Sequence, residues 1–95
     1  MMATVAILFT FDPAKDEANR RAHGLPLAIG AVVIESALGE VEDGRMDYGE
    51  TRLKAYAFVA GRLLACVYTL RGEVHRIISV YPVTGREARI WQTLI

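Results

Sequence analysis

The residues whose types and placement invite chemistry are mostly basic. Arg76 lies in the middle of EVHRIISVY, an otherwise apolar, β-rich run, where a guanidinium must find a carboxylate or a phosphate. Glu50 and Arg52 stand two apart where another such run, LKAYAFVA, begins, and in an extended chain that spacing turns both to the same side. They can act as a catalytic carboxylate and a phosphate clamp, or form a surface ion pair. Lys15, Asn19 and His23 recur at intervals of four, the spacing that aligns side chains on one helix face. Lys15 is a phosphate contact or a solvated lysine, and Asn19 reads as structural. His23 is a proton carrier, or an imidazole that meets the helix dipole just before Gly24. Tyr68 and Tyr81 can donate a proton to a leaving group or simply pack within strands. Arg86 and Arg89 are backbone contacts for a polyanion or solvated charges.

Other chemistries lack their residues. His23 and His75 have no spacing that brings them together as metal ligands, and one cysteine, Cys66, gives neither a disulfide framework nor a cysteine zinc site. Neither Ser36 nor Ser79 occupies a nucleophile elbow, and the glycine-rich phosphate loops are absent. A reaction that needs no metal and no protein nucleophile remains, such as RNA cleavage in which the ribose 2′-hydroxyl attacks its own phosphate. It requires a proton acceptor, a proton donor and cations around the equatorial oxygens, which Glu, His, Tyr, Lys and Arg supply.

These residues sit on a chain of 95 residues, the size of one domain spanning 1–95, with 53% hydrophobic and 23% charged residues, too apolar for disorder. No apolar run is long enough to cross a bilayer, and the opening MMATVAILFTFD lacks the marks of a secretory signal, so a cytoplasmic location is expected. The net charge of zero hides a split. Residues 1–47 hold 4 bases against 8 acids and residues 48–95 hold 7 against 3, which gives −4 and +4. Nine of the eleven bases are arginine, the side chain that forks onto phosphate. A basic C-terminal half permits a nucleic-acid partner without requiring one.

The elements that position these residues follow from local pattern. TVAILFTF over 4–11 reads as a strand. Asp12 and Pro13 then supply an N-cap and a first helical residue for a helix over 13–22, whose apolar stripe is Ala14, Ala18 and Ala22. LPLAIGAVVIESAL predicts a second helix over 27–35, with Pro26 near its start, and a short edge strand is expected over 38–41 within a loop. Three strands follow, separated by turns at Ala60-Gly61 and Arg71-Gly72, in an antiparallel meander. Leu63 to Leu70 forms the central strand with Cys66 as a core thiol. Thr84 and Glu87 have the spacing of a capping box before a terminal helix whose apolar side includes Trp91, Leu94 and Ile95. This order predicts an α+β domain with a mainly antiparallel β-sheet, two N-terminal helices and one C-terminal helix.

Taken together, F-D-P-A-K-(x3)-N-(x3)-H-G at 11–24, G-E-T-R at 49–52, R-I-I-S at 76–79 and the later REAR resemble the BrnT family of type II toxin-antitoxin systems, over Phe9 to Trp91. The resemblance implies a RelE-like fold and an endoribonuclease toxin without a cofactor. It also implies a cognate BrnA-like antitoxin, of ribbon-helix-helix type, through which alone DNA would be reached. Phe11 replaces a tryptophan common in relatives, and Tyr81 and Pro82 stand where relatives carry two bases. In this reading Arg76 and Arg52 stabilise the phosphorane, Lys15 binds phosphate and Glu50 or His23 moves the proton, while Arg86, Arg89 and Tyr81 contact RNA. The alternative is a catalytically weak relative that binds a partner protein.

Overall fold

Each element forms for a local reason. Asp12 caps helix α1 (Pro13–His23): its carboxylate accepts from the Ala14 N–H at 2.9 Å, Pro13 opens the helix, and Gly24 closes it in a left-handed conformation, φ 69°. The computed structural model describes residues 6–43 and 50–93, apart from the Gln92 side chain. Residues 4 and 5 of the expected first strand, Gly49 of the G-E-T-R motif, and Leu94 and Ile95 lie outside the described residues. The remaining elements are strand β1 (Leu8–Thr10), helix α2 (Ile29–Glu35), strands β2 (Gly39–Asp43), β3 (Arg52–Val59), β4 (Arg62–Arg71) and β5 (Val74–Pro82), and helix α3 (Gly85–Gln92).

The fold is α+β, with a five-stranded sheet in the order β1-β5-β4-β3-β2. The β3-β4-β5 meander is antiparallel, β2 pairs antiparallel with β3, and β1 runs parallel to β5 on the far edge. The Ala60-Gly61 turn has both residues at positive φ, 50° and 79°, as a two-residue hairpin of the strand-matching hand requires. β4 is central and buried from Leu63 to Thr69. One face of the sheet packs Ala55, Leu64, Cys66, Tyr68, Ile77 and Val80 against α2 and Leu27. On the other face, Tyr56, Leu63, Ala65 and Val83 gather Ala88 and Trp91 of α3. Among the described residues no helix is long and apolar enough to cross a membrane.

Several local expectations shift. Helix α2 starts at Ile29, because the N–H groups of Ile29 and Gly30 first close turns onto the carbonyls of Pro26 and Leu27, at 3.1 and 2.8 Å. The second hairpin turns on Gly72 and Glu73, one residue later than expected, and β2 extends to Asp43. The alanine stripe of α1 is exposed, and the helix buries Asn19 instead. Thr84 is the N-cap of α3 but its hydroxyl makes no capping bond. No capping box forms, because Glu87 turns to Lys54.

Candidate active site

Strand alternation and register assemble a polar patch on the sheet face that α3 partly covers. Asp43 pairs with Arg52, Thr69 with Arg76, and Arg76 with Thr10; continuing the β3-β4 register one step beyond Leu53↔Tyr68 sets Arg52 opposite Thr69. The row Asp43, Arg52, Thr69, Arg76, Thr10 therefore crosses all five strands on one face. Arg52 and Arg76 flank Thr69 two strands apart, about 10 Å at the usual inter-strand spacing. Both are half-buried. Thr69 is 1% exposed and its hydroxyl has no hydrogen-bond partner. Among the described residues no carboxylate or other acceptor meets Arg76.

A bulge makes this grouping possible. The β4-β5 register slips between Val67 and Tyr68, which face Ser79 and Ile77, so Ile78 is an extra residue in β5. Arg76 and Tyr81 are five apart, and simple alternation would put them on opposite faces. With the extra residue both face α3, while Ile77 and Val80 both enter the α2-side core.

Beside the arginine row, Lys54 lies opposite Val41 and Val67, and Tyr56 lies opposite Gly39 and Ala65. The Lys54 ammonium is 3.7 Å from Glu87 Oε2, 5.7 Å from the Tyr81 ring centre and 5.9 Å from that of Tyr56. Burial works to lower its pKa. The bond to Tyr81 and the charges of Tyr81, Tyr56 and Glu87 outweigh burial, so the lysine holds its proton more firmly than usual. Trp91 stacks on Tyr56 with ring centres 4.5 Å apart. On the far side of Tyr81 the His23 ring stands 6.1 Å away, tilted by 43°.

The expected site residues fall into groups. Arg76, Arg52 and Tyr81 share this face, and His23 borders it. Glu50, just before β3, bonds to Arg71 at 3.4 Å rather than to Arg52. Lys15 and His23 line a cleft of about 260 Å³ with Ala18, Asn19, Ala22 and Ile78, along the edge of β5. Arg86 and Arg89 line a groove of about 430 Å³ with Ile90 and Thr93, on the stripe of α3 turned away from Ala88 and Trp91. Tyr68 lies on the α2 side, where its hydroxyl donates to Glu40. Sequence reasoning missed Lys54 and Thr69 and gave Glu87 only a capping role. For Lys54 the signal was present, since the alternation Arg52, Lys54, Tyr56 puts a second cation on the face of Arg52.

A family model described as "Ribonuclease toxin, BrnT, of type II toxin-antitoxin system" matches residues 11–87. The chain belongs to the BrnT family. No curated protein matches the chain. Membership makes it a ribonuclease toxin of a type II toxin-antitoxin system, which implies an RNA target and an antitoxin partner. Within the stretch matched to BrnT lie the Asp12-Pro13 start of α1, the Asn19 anchor, the Arg52 and Arg76 row and the bulge at Ile78.

Proposed function

We propose that the α3-side face is the active site of an endoribonuclease that cleaves RNA through attack of a ribose 2′-hydroxyl on the adjacent phosphate, without a metal ion. The observation that carries this reading is the Arg52, Thr69, Arg76 row: two half-buried arginines flanking an unpartnered buried hydroxyl on one face of the sheet. A phosphate seated above Val67 and Ser79 has the arginine row directly beside it. Guanidinium donors there stabilise the charge that develops on the equatorial oxygens. His23, at the rim beside Tyr81, is better placed than Glu50 to take the 2′-hydroxyl proton, since Glu50 is engaged with Arg71. Lys15 along the β5 edge and Arg86 and Arg89 on α3 extend the path for the RNA backbone beyond the scissile phosphate. Among the described residues no cluster of His, Cys, Asp and Glu has the arrangement to hold a metal ion.

The antitoxin partner is read as a ribbon-helix-helix protein of the BrnA type that carries the pair to DNA, and the toxin as acting on RNA in the cytoplasm. A neighbouring gene encoding such a protein supports this; a neighbouring gene of any other kind removes it.

The catalytic test is purified protein incubated with RNA in excess EDTA. Cleavage that leaves 2′,3′-cyclic phosphate and 5′-hydroxyl ends is expected. Activity abolished by chelation and restored by a single metal overturns the mechanism. The presence of Tyr81 and Pro82 where relatives carry bases favours one other reading, a partner-binding module without catalysis. Intact RNA under all conditions, together with harmless expression of the chain alone, selects that reading.

A further inference from the structure

We infer that Tyr81 is the proton donor to the leaving 5′-oxygen and that Lys54 is the residue that poises it. The inference rests on the ribonuclease reading above and assigns the step which that reading leaves without a residue. Tyr81 is half-buried on the α3-side face, and its ring lies between two groups of different chemistry, the Lys54 ammonium at 5.7 Å and the His23 imidazole at 6.1 Å. The row of Lys54, Val67 and Ser79 separates Tyr81 from the Arg52 and Arg76 row, each about 7 Å away along the strands. A phosphate above Val67 and Ser79 therefore has arginine on one side and the Tyr81 phenol on the other. Val67 and Ser79 are themselves small, and with Val67 buried the phosphate would rest on the side chains that flank this row.

Lys54 is ill suited to give up its own proton, since its surroundings hold that proton firmly. Its use is as a fixed charge. Glu87 holds the ammonium at 3.7 Å, and Trp91 stacked on Tyr56 closes that side. With the ammonium held over the Tyr81 ring at 5.7 Å, negative charge that grows on the phenol oxygen as it donates meets a positive charge already in place, an attraction that strengthens toward the transition state.

The step balances. The 2′-oxygen bonds to phosphorus and its proton passes to the His23 imidazole. The bond from phosphorus to the 5′-oxygen breaks, and that oxygen takes the Tyr81 proton. The products are a 2′,3′-cyclic phosphate and a 5′-hydroxyl, and water returns the imidazole and the phenolate to their starting states. Tyr81 is the catalytic residue here, and Lys54 acts through it as a positioning residue.

The experiment compares single-turnover cleavage of ordinary RNA with that of the same RNA carrying sulfur in place of the bridging 5′-oxygen, because a thiolate leaves without a proton. On ordinary RNA, Tyr81→Phe is expected to lose about 100-fold or more, the usual worth of a general acid, and Lys54→Met about 10-fold, with Lys54→Arg recovering most of the loss. On the thio-substituted RNA, Tyr81→Phe is expected within about 3-fold of the parent, since no proton donor is needed there. Equal losses on both substrates, or full activity of Tyr81→Phe on ordinary RNA, overturn the assignment of Tyr81 and leave the ribonuclease reading standing. A parent inactive on both substrates overturns both. Tyr81→Phe keeps the ring that packs against Lys54 and His23, so the comparison stands even if Lys54→Met does not fold.

Discussion

The side-chain amide of Asn19 on α1 takes the place of a neighbouring strand against Val80 on β5. Its Oδ1 accepts from the Val80 N–H at 3.1 Å, and its Nδ2 donates to the Val80 carbonyl at 2.8 Å and to the Leu25 carbonyl at 2.8 Å. β1 pairs with β5 only as far as Arg76, so the outer edge of β5 beyond that point needs another partner, and an amide with one donor and one acceptor on one plane provides it. Asn19→Ala leaves both polar groups of a fully buried residue unpaired. The expected cost is about 2 to 6 kcal/mol, counting about 1 to 3 for each of the two orphaned Val80 groups. Urea denaturation checks this: the midpoint should fall with an unchanged slope, and Asn19→Asp, which keeps the acceptor alone, should also fall. An unchanged midpoint in Asn19→Ala would mean that water satisfies the edge equally well.

Asn19 also marks what could be read in the chain. Its type and its spacing from Lys15 and His23 were visible and its structural role was expected, but not its partner, because Val80 lies 61 residues away. The helices, the meander and the buried central strand follow from local pattern, and so does the exposure of Arg52 and Arg76 to one chemistry. The parallel pairing of β1 with β5 and the bulge at Ile78 do not, since both depend on contacts between distant segments. The bulge has the larger consequence: strict alternation puts Arg76 and Tyr81 on opposite faces, and the two share a face only through the extra residue. Glu87 was misassigned for a similar reason. The Thr84 to Glu87 spacing is local, whereas the buried cation that claims Glu87, Lys54, comes from the other end of the meander.

Two glycines are fixed by space rather than by backbone conformation. A Cβ at Gly30 would lie 2.8 Å from Cys66 Sγ and 3.0 Å from methyl carbons of Ile77 and Val80, so α2 can approach the sheet only without one. Gly30→Ala, normally a favourable helix substitution, should here destabilise by about 1 to 3 kcal/mol through overpacking. At Gly39 a Cβ would meet the Trp91 ring at 2.7 Å, which affects α3 rather than the main core. Gly39→Ala should therefore shift tryptophan emission to the red and speed amide exchange in α3, with little change in the urea midpoint. A large global loss in Gly39→Ala would show that α3 is integral to the core.

Stability should fall at alkaline pH, and the sign follows from which state holds protons. Burial pushes the Cys66 thiol well above its ordinary value of 9.0. Burial, then the bond to Glu40, raises the Tyr68 phenol above 10.0, and Lys54 is raised above 10.5 by its aromatic and carboxylate neighbours in spite of burial. All three bind protons more tightly folded than unfolded. Their contribution is fully present below the unfolded values and is lost as pH rises toward the folded ones. The urea midpoint should be level from about pH 7 to 8.5 and decline from about pH 9 upward. Tyr68→Phe should flatten part of that decline. A midpoint that stays level to about pH 11 would contradict the protonated, buried state of these groups.

The sharpest test of the site contrasts two arginines of equal charge. Arg76 lies on the α3-side face in the row with Thr69 and Arg52. Arg62 follows the Ala60-Gly61 turn, is exposed, and projects to the α2 side, as Leu64 and Cys66 do. Because Arg76 meets no carboxylate among the described residues, its removal orphans no buried partner, and Arg76→Ala should stay within about 0.5 kcal/mol of the parent in stability. Its effect should fall on the reaction instead. Cleavage should drop about 100- to 1,000-fold if the guanidinium stabilises developing charge in the transition state. The same substitution should reduce the dependence of log affinity on log salt by about 0.7, the share of one phosphate contact to a single strand. Arg62→Ala should leave both quantities nearly unchanged. Measuring single-turnover cleavage and RNA affinity at several salt concentrations separates the outcomes. A lower salt slope without slower cleavage would make Arg76 a binding contact only, and equal losses in the two variants would place the RNA on a surface other than the Arg52, Thr69, Arg76 row.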